Sequence, residues 1–115
     1  MADECIFCRI VAGEVPSDIV YQDEDFLAFR DISPQAPIHM LIIPKTHIAS
    51  LAELIEGQQE LAGRLIILSK NLAEKGGIAK SGYRLVINCG HDGGQLVSHL
   101  HLHLIGGKRL EDRLG

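Results

Sequence analysis

Three histidines occupy alternate positions near the end of the 115-residue chain, at His99, His101 and His103, with Leu100 and Leu102 between them. Successive side chains of a β-strand point to opposite faces, so all three imidazoles are expected on one face, roughly 6.6 Å apart. Such a row can hold a catalytic metal ion, or it can provide a nucleophile and general base with neighbours that orient it. The three histidines by themselves leave both kinds of site open.

A glycine-rich segment, Gly90-His91-Asp92-Gly93-Gly94-Gln95, comes shortly before the histidine row. Backbone N–H groups in such a loop can form a concave site for an anion. Beside three histidines, the loop therefore indicates that the ligand carries a phosphate group. His91 itself is expected to lie exposed in this loop.

Two cysteines, Cys5 and Cys8, have C-x-x-C spacing, which predicts a metal clip or a redox pair rather than a disulfide. Two cysteines and two histidines would complete a tetrahedral zinc site. If the segment is helical, 100° per residue places both cysteines on one face and Phe7 with Ile10 nearly opposite. The third cysteine, Cys89, is interpreted as a small strand residue.

The composition is that of an ordinary globular protein, with 46% apolar and 23% charged residues. The length predicts one domain over residues 1–115. No apolar run exceeds four residues, so neither a membrane span nor a signal-peptide core is predicted, and we expect a soluble cytoplasmic protein. The net charge of −4 argues against a nucleic-acid-binding protein, which usually carries a basic face.

The pattern of apolar and turn residues predicts an α+β fold with an antiparallel sheet, because three strands precede the long helix without helices between them. A short helix is expected within Arg9–Val15, ending near Gly13. A long helix is expected from Ser50 to Lys75, with a capping box formed by Ser50 and Glu53 and a possible break near Gly57. The predicted strands are Ile19–Gln22, Phe26–Arg30, Ile38–Pro44, Tyr83–Cys89 and Val97–Ile105.

The strand His99-Leu100-His101-Leu102-His103-Leu104-Ile105 resembles the signature of the histidine triad (HIT) family, in which histidines alternate with apolar residues. The resemblance covers nearly the whole chain, which is similar to the nucleotide-binding branch of this family. It also rests on Asp31 to Pro37, His39, Ile43 to His47, Gly82-Tyr83-Arg84, Asn88 and Gly93-Gly94-Gln95.

The resemblance implies a HIT-like fold: an antiparallel five-stranded sheet with one long and one short helix, extended across a homodimer. It implies a purine nucleoside phosphoramidase, which hydrolyses the P–N bond of adenosine or guanosine 5′-phosphoramidates through a covalent nucleotidyl-histidine and needs no organic cofactor. The long helix itself also predicts a homodimer, since its apolar residues cover more than half of its circumference. Neither nucleic acid nor membrane is an expected partner.

The same resemblance assigns roles to individual residues. It implies that His101 is the nucleophile, that His103 binds the phosphate and helps to manage the proton of the leaving amine, and that His39 supports His101. It places Asp31 at the ribose hydroxyls. At position 96 this sequence has Leu96 where some members of the family have Ser. The implied nucleotide contacts are Ile6, Phe7, Ile10, Asp31, Ile32, Leu41, Asn88, Gly94, Gln95, Leu96, His101 and His103.

Related proteins also imply one structural zinc ion, bound here by Cys5, Cys8, His47 and His99. Two alternatives to the phosphoramidase remain: a non-catalytic protein that binds purine nucleotides, and a metalloenzyme whose metal is held by the three alternating histidines. The intact His101 argues against the first alternative. The lack of added carboxylates, which catalytic metal sites usually recruit, argues against the second.

Overall fold

The computed structural model describes residues 5–113, so residues 1–4 and 114–115 of the predicted domain lie outside the described residues. Five strands form one antiparallel sheet, in the order Ile19–Gln22 (β1), Phe26–Arg30 (β2), Ile38–Pro44 (β3), Leu102–Gly106 (β5) and Tyr83–Val86 (β4), which confirms the predicted α+β class. No helix within residues 5–113 is long and apolar enough to cross a membrane. The elements are α1 (Ile6–Val11), β1 (Ile19–Gln22), β2 (Phe26–Arg30), β3 (Ile38–Pro44), α2 (Gln59–Lys75), β4 (Tyr83–Val86) and β5 (Leu102–Gly106).

The sheet separates two apolar clusters because side chains alternate between its faces. On β3, Met40 and Ile42 pack on the side covered by α2, whereas Leu41 and Ile43 pack on the side of α1. His39 has the same parity as Leu41, so it also lies on the α1 side. The sheet face covered by α1, a helix of only six residues, therefore holds the buried His39 side chain next to the core.

The histidine row keeps the predicted alternation but only partly forms a strand. Leu100 joins the α2 cluster, whereas His99 and His101 are buried on the other face. The strand predicted from Val97 is wrong over its first five residues, since β5 begins at Leu102. The partner strand β3 ends at Pro44, which has no N–H to donate, and the Leu100 N–H bonds instead to the carbonyl of Ile48 at 2.6 Å.

The long helix begins nine residues later than predicted, at Gln59. The predicted capping box is wrong, because Ser50 makes no side-chain hydrogen bond to the helix. Two 3₁₀ turns, Leu51–Glu53 and Glu56–Gln58, replace the first part of the helix. The extended backbone at Leu54, with ψ of 139°, separates these turns and interrupts the helical ladder.

The remaining boundaries differ by a few residues. The short helix α1 begins at Ile6, three residues earlier than predicted, and ends at Val11, two residues before Gly13. This glycine has φ of +78°, the conformation expected of a glycine after a helix. Strand β4 ends at Val86 rather than Cys89, where the chain enters the glycine-rich loop. The bounds predicted for β1, β2 and β3 are confirmed.

Candidate active site and metal site

A backbone hydrogen bond fixes the orientation of His101. Its Nδ1 lies 2.7 Å from the carbonyl oxygen of His99, so Nδ1 carries the proton and donates it to that oxygen. The Nε2 atom of the neutral ring then keeps its lone pair. The ring is only 6% exposed, and Phe7 of α1 packs edge-on against it with centroids 5.1 Å apart. The fold therefore presents a single, rigidly held nucleophilic nitrogen.

His39 and His103 form a directed pair beside this nitrogen. The backbone N–H of Gln35 donates to Nδ1 of His39 at 3.0 Å, so a neutral His39 carries its proton on Nε2. That Nε2 lies 2.9 Å from Nδ1 of His103, which must accept. A neutral His103 consequently carries its own proton on Nε2. The ring of His103 lies 5.1 Å from that of His101, between centroids.

Burial keeps this pair neutral. Desolvation, aided by the neighbouring His101 and His39 rings, lowers the pKa of His103 to about 4. Desolvation also lowers the pKa of His39, although the carboxylate of Asp31 opposes this effect. Both rings are therefore uncharged near pH 7, and each keeps the tautomer that its hydrogen bonds select.

We expect the free energy of unfolding to fall as the pH is lowered from 6.5, the ordinary pKa of histidine, to about 4, the folded pKa of His103. In that window the unfolded chain binds more protons than the folded one, at roughly 1.4 kcal/mol per pH unit for each such histidine. Urea unfolding at several pH values should give a shallower slope for His103→Asn. The exposed His91 supplies the control, since His91→Asn should keep the wild-type slope. Identical slopes in all three proteins would contradict the assignment.

A second cluster joins both ends of the chain. Cys5, Cys8, His47 and His99 offer ligand atoms that all lie within 4.8 Å of one another. Nδ1 of His99 lies 3.3 Å from Sγ of Cys5 and 3.5 Å from Sγ of Cys8, and Nδ1 of His47 lies 3.1 Å from Sγ of Cys8. Cys5 is the residue at the N-terminal cap of α1, so this helix brings both sulfurs to the sheet.

The donors of this cluster fit zinc. Nε2 of His99 donates to the carbonyl oxygen of Pro44 at 2.8 Å, which leaves Nδ1 unprotonated and directed at the two sulfurs. Burial and the adjacent Cys5 thiol raise the pKa of Cys8 to about 11, so a cation is needed to form the thiolate there at neutral pH. Two sulfurs and two imidazole nitrogens are a common ligand set for structural zinc.

Asp31, His39 and His103 form another group with the spacing of metal ligands, but the position of the imidazole proton of His39 argues against a metal there. Nε2 of His39 would have to be a ligand, yet the Gln35 N–H holds the proton of the ring on that atom. A neutral imidazole has only one unprotonated nitrogen. This group is therefore a hydrogen-bonded cluster. Nor do the three triad histidines converge on one ion, since their rings bond to different partners.

The glycine-rich loop is closed by its own hydrogen bonds. The side chain of Gln95 accepts the Gly90 N–H at 2.9 Å and donates to the Ala49 carbonyl at 2.8 Å. Gly93 is required there, because a Cβ would lie 2.3 Å from the Cys89 carbonyl oxygen. The N–H groups of Gly94 and Gln95 are already bonded within the loop, to the carbonyls of His91 and Gly90. The Asn88 side-chain amide donates to Gly93 at 2.9 Å.

The residues expected around a purine divide into two groups. Phe7, Ile10 and Leu41 are buried in the α1 cluster, so they shape the site from beneath. Ile32 and Leu96 are almost fully exposed, at 97% and 95%, and Ile6 is partly exposed at 38%. His91 is exposed as predicted, and Cys89 is partly buried beside the glycine-rich loop.

Sequence reasoning missed the backbone groups that set the tautomers. The Gln35 N–H and the carbonyls of Pro44 and His99 each bond to a site imidazole. A backbone group leaves no mark in the residue types, so no sequence motif identifies the N–H of Gln35. Pro44 gives a partial signal, because a proline has no backbone N–H and is typical of the point where strand pairing ends.

Comparison with known proteins agrees with this geometry. The model of the HIT domain family matches residues 12–110. The chain belongs to the HIT domain family. This histidine triad protein is 50% identical over 110 residues to the purine nucleoside phosphoramidase of Escherichia coli strain K12, a match that spans 96% of this chain and 92% of that protein.

Solved HIT structures share the whole fold. The HIT family hydrolase from Legionella pneumophila Philadelphia 1 superposes with a TM-score of 0.95 at 47% identity, covering 97% of this chain and all of that one. A zinc-bound histidine triad family protein from Mycobacterium smegmatis has a TM-score of 0.79 at 33% identity, covering all of this chain and 82% of that one. The predicted family, fold and hydrolase class are confirmed.

Proposed function

We propose that this HIT protein is a purine nucleoside phosphoramidase that works through a covalent nucleotidyl intermediate on His101. One observation carries the mechanism: the hydrogen bond from Nδ1 of His101 to the His99 carbonyl, which leaves Nε2 as a neutral nucleophile. The substrate class is supported by the E. coli purine nucleoside phosphoramidase, at 50% identity.

The reaction takes place in two displacements at phosphorus. Nε2 of His101 attacks, the P–N bond breaks, and its electron pair leaves with the amine, which takes up a proton drawn from solvent. Water then attacks the nucleotidyl-histidine, releasing the nucleoside monophosphate and a proton and restoring His101. His103 donates its Nε2–H toward the phosphoryl group, and its Nδ1 remains paired with His39. Splitting the hydrolysis in this way replaces one difficult step by two easier ones.

The alternatives of the sequence analysis receive less support. A catalytic metal held by His99, His101 and His103 would need their nitrogens to face one ion. Instead, the rings of His99 and His101 donate to backbone carbonyls, and the ring of His103 pairs with His39. A protein that only binds nucleotides has no need for a nucleophile buried with its lone pair free.

The nucleoside contacts are proposed from the geometry of the site mouth. The exposed side chains of Ile6, Ile32 and Leu96 are available to contact the purine. The buried side chains of Phe7, Ile10 and Leu41 support the site from beneath. Asp31 accepts the ribose hydroxyls. Because Gly94 and Gln95 have committed their N–H groups, the phosphate is bound by His101, His103, Asn88 and the Leu96 N–H.

We also propose one structural zinc ion per chain, on Cys5, Cys8, His47 and His99. Such a four-ligand site contributes folding free energy and leaves no position for a substrate. The zinc-bound relative from M. smegmatis supports the choice of metal. The residues that attack and bind phosphate stand outside this set. The cytoplasmic location and the single domain over residues 1–115 remain predictions.

The test of the proposed activity is direct. Purified protein is incubated with adenosine 5′-phosphoramidate and guanosine 5′-phosphoramidate, and both the monophosphate and ammonia are quantified. We expect equal amounts of the two products, and activity that is unaffected by a chelator added just before the assay. Absence of turnover on both substrates, or a requirement for added metal in the assay, would contradict the proposed function.

A homodimer is proposed through one edge of the sheet. The two outer strands are β1 and β4; β1 has a register shift against β2, which blunts it as a pairing edge, whereas β4 is regular. Ile66 of α2 is 44% exposed. At 100° per residue it projects from the flank of α2 opposite to Arg64, which bonds to Asp25 at the β1–β2 side, and we propose that this flank faces the partner copy.

We expect Ile66→Glu to weaken or abolish the dimer, because the charge would be buried between two copies of α2. Ile19→Glu is the matched control: Ile19 is 45% exposed, but on the opposite edge strand. Sedimentation should give twice the chain mass of 12.6 kDa for wild type and for Ile19→Glu, and a lower mass for Ile66→Glu. A monomeric wild type at micromolar concentration would refute the dimer.

A further inference from the structure

One short segment contacts both nitrogens of His39. At its beginning, Oδ2 of Asp31 lies 3.4 Å from Nε2 of His39, and at its end the N–H of Gln35 donates to Nδ1 at 3.0 Å. Between them, the N–H of Ser33 donates to Oδ1 of Asp31 at 2.8 Å, which ties the carboxylate to the turn. The segment from residue 31 to residue 35 thus contacts the imidazole of His39 from both sides and restricts its orientation.

The carboxylate also supplies the only opposing charge near the His39–His103 pair in the described residues. Nε2 of His39 is shared between Nδ1 of His103 at 2.9 Å and Oδ2 of Asp31 at 3.4 Å. Burial lowers the pKa of both rings, neighbouring imidazoles lower that of His103 further, and Asp31 is the group that acts in the opposite direction on each. Without Asp31, a proton passing through the pair would have no counter-charge.

We propose that Asp31 is a positioning residue of the reaction, acting through His39 on His103, in addition to its proposed ribose contact. Together with the Gln35 N–H it holds the His39 ring in place beside His103, and its negative charge stabilises the pair while a proton taken up from solvent passes through it to the leaving amine. A carboxylate has about four acceptor positions, so the Ser33 N–H and His39 leave room for ribose hydroxyls. This inference rests on the proposed phosphoramidase function.

A ribose contact and a positioning role make different demands on a substrate. If Asp31 only binds ribose, its removal has no effect on a substrate that lacks the 2′- and 3′-hydroxyls. If Asp31 also positions His39, its removal slows the chemical step on that substrate as well. The kinetics of the Asp31 variant on the substrate without 2′- and 3′-hydroxyls therefore distinguish the positioning role from the ribose contact.

The experiment compares wild type and Asp31→Asn on adenosine 5′-phosphoramidate and on its 2′,3′-dideoxy analogue. With the ribose substrate we expect a higher KM and a lower kcat for the variant. With the dideoxy substrate we expect similar KM values but a kcat still about tenfold or more below wild type, because positioned proton transfer contributes roughly 10²–10⁴-fold. Asp18→Asn is the control, since Asp18 pairs with Arg30 away from the histidines.

A second readout does not depend on turnover. Nitrogen-15 NMR of the imidazoles over a range of pH should show that the His39–His103 pair takes up a proton at lower pH in Asp31→Asn than in wild type, because the carboxylate 3.4 Å from Nε2 of His39 is gone. Equal kcat values on the dideoxy substrate, or an unchanged titration of the His39–His103 pair in the folded variant, would overturn the inference. If wild type releases no amine from either substrate, the proposed function fails instead, and the NMR comparison still decides whether Asp31 positions the pair.

Discussion

His101→Ala should lower the turnover of adenosine 5′-phosphoramidate by at least about 10³-fold, as expected when a covalent nucleophile is removed. Adenosine monophosphate should still bind with an affinity within a few fold of wild type, because the surrounding clusters do not depend on this ring. Steady-state kinetics and calorimetric titration measure the two quantities. His91→Ala is the matched control, since His91 is an exposed histidine that pairs only with Asp92.

The intermediate gives an independent measure of the same role. Rapid acid-free quenching of wild type with a slow substrate should trap one nucleotidyl group per active chain, and peptide mapping should place it on His101. His101→Ala should give no adduct. A near-wild-type rate in His101→Ala, or an adduct on another residue, would exclude His101 as the nucleophile.

Loss of the proposed zinc ion should produce the largest change in stability. In a Cys5→Ser, Cys8→Ser double variant, the free energy of unfolding is expected to fall by roughly 3 kcal/mol or more. This is the stabilisation expected when the free zinc concentration is about 100-fold or more above the dissociation constant of the site. For a domain of this size the melting temperature should fall by on the order of 10 °C. Metal analysis of protein purified without chelator should find one zinc per wild-type chain and none in the variant.

The activity of this variant should fall less than its stability, and for a structural reason. The helix α1 links the two sites, because Phe7 packs against both His99 and His101, with centroids 5.9 Å and 5.1 Å away. Releasing Cys5 and Cys8 loosens this contact but leaves the His101–His99 hydrogen bond. Cys89→Ser is the control for thiol loss. A zinc-free wild type, or a double variant that melts unchanged, would reduce the two cysteines to packing residues.

The strands of the sheet were the most predictable part of the fold. Runs of residues that favour strands, bounded by turn residues, predicted the bounds of Ile19–Gln22, Phe26–Arg30 and Ile38–Pro44. The apolar run Ile38–Pro44 is indeed buried almost throughout, as expected of a strand covered on both faces. The region before α2 was less predictable. Leu51 and Ile55 fit a helical period, yet both are exposed, at 44% and 67%, so no packing holds them in a helix.

The residue types of the candidate site were predictable from the sequence, but the ring nitrogen that carries the proton in each histidine was not. The alternating histidines and the C-x-x-C motif identify the groups, and their spacing indicates which can meet. Whether Nδ1 or Nε2 of each ring carries the proton depends on the backbone atoms of Gln35, Pro44 and His99. Those atoms are the same in every sequence, and only the folded chain decides where they lie.

The order in which the chain leaves the ribosome gives the sheet arrangement another consequence. Strand β5 lies between β3 and β4, yet it is the last strand to be synthesised, and Cys5 must meet His99 across 94 positions of sequence. Until β5 arrives, the apolar strand β3 presents an unpaired edge, the kind of edge that recruits strands from other chains. The nascent protein therefore exposes this edge of β3, whose residues are almost all buried in the folded sheet, until most of the chain has been made.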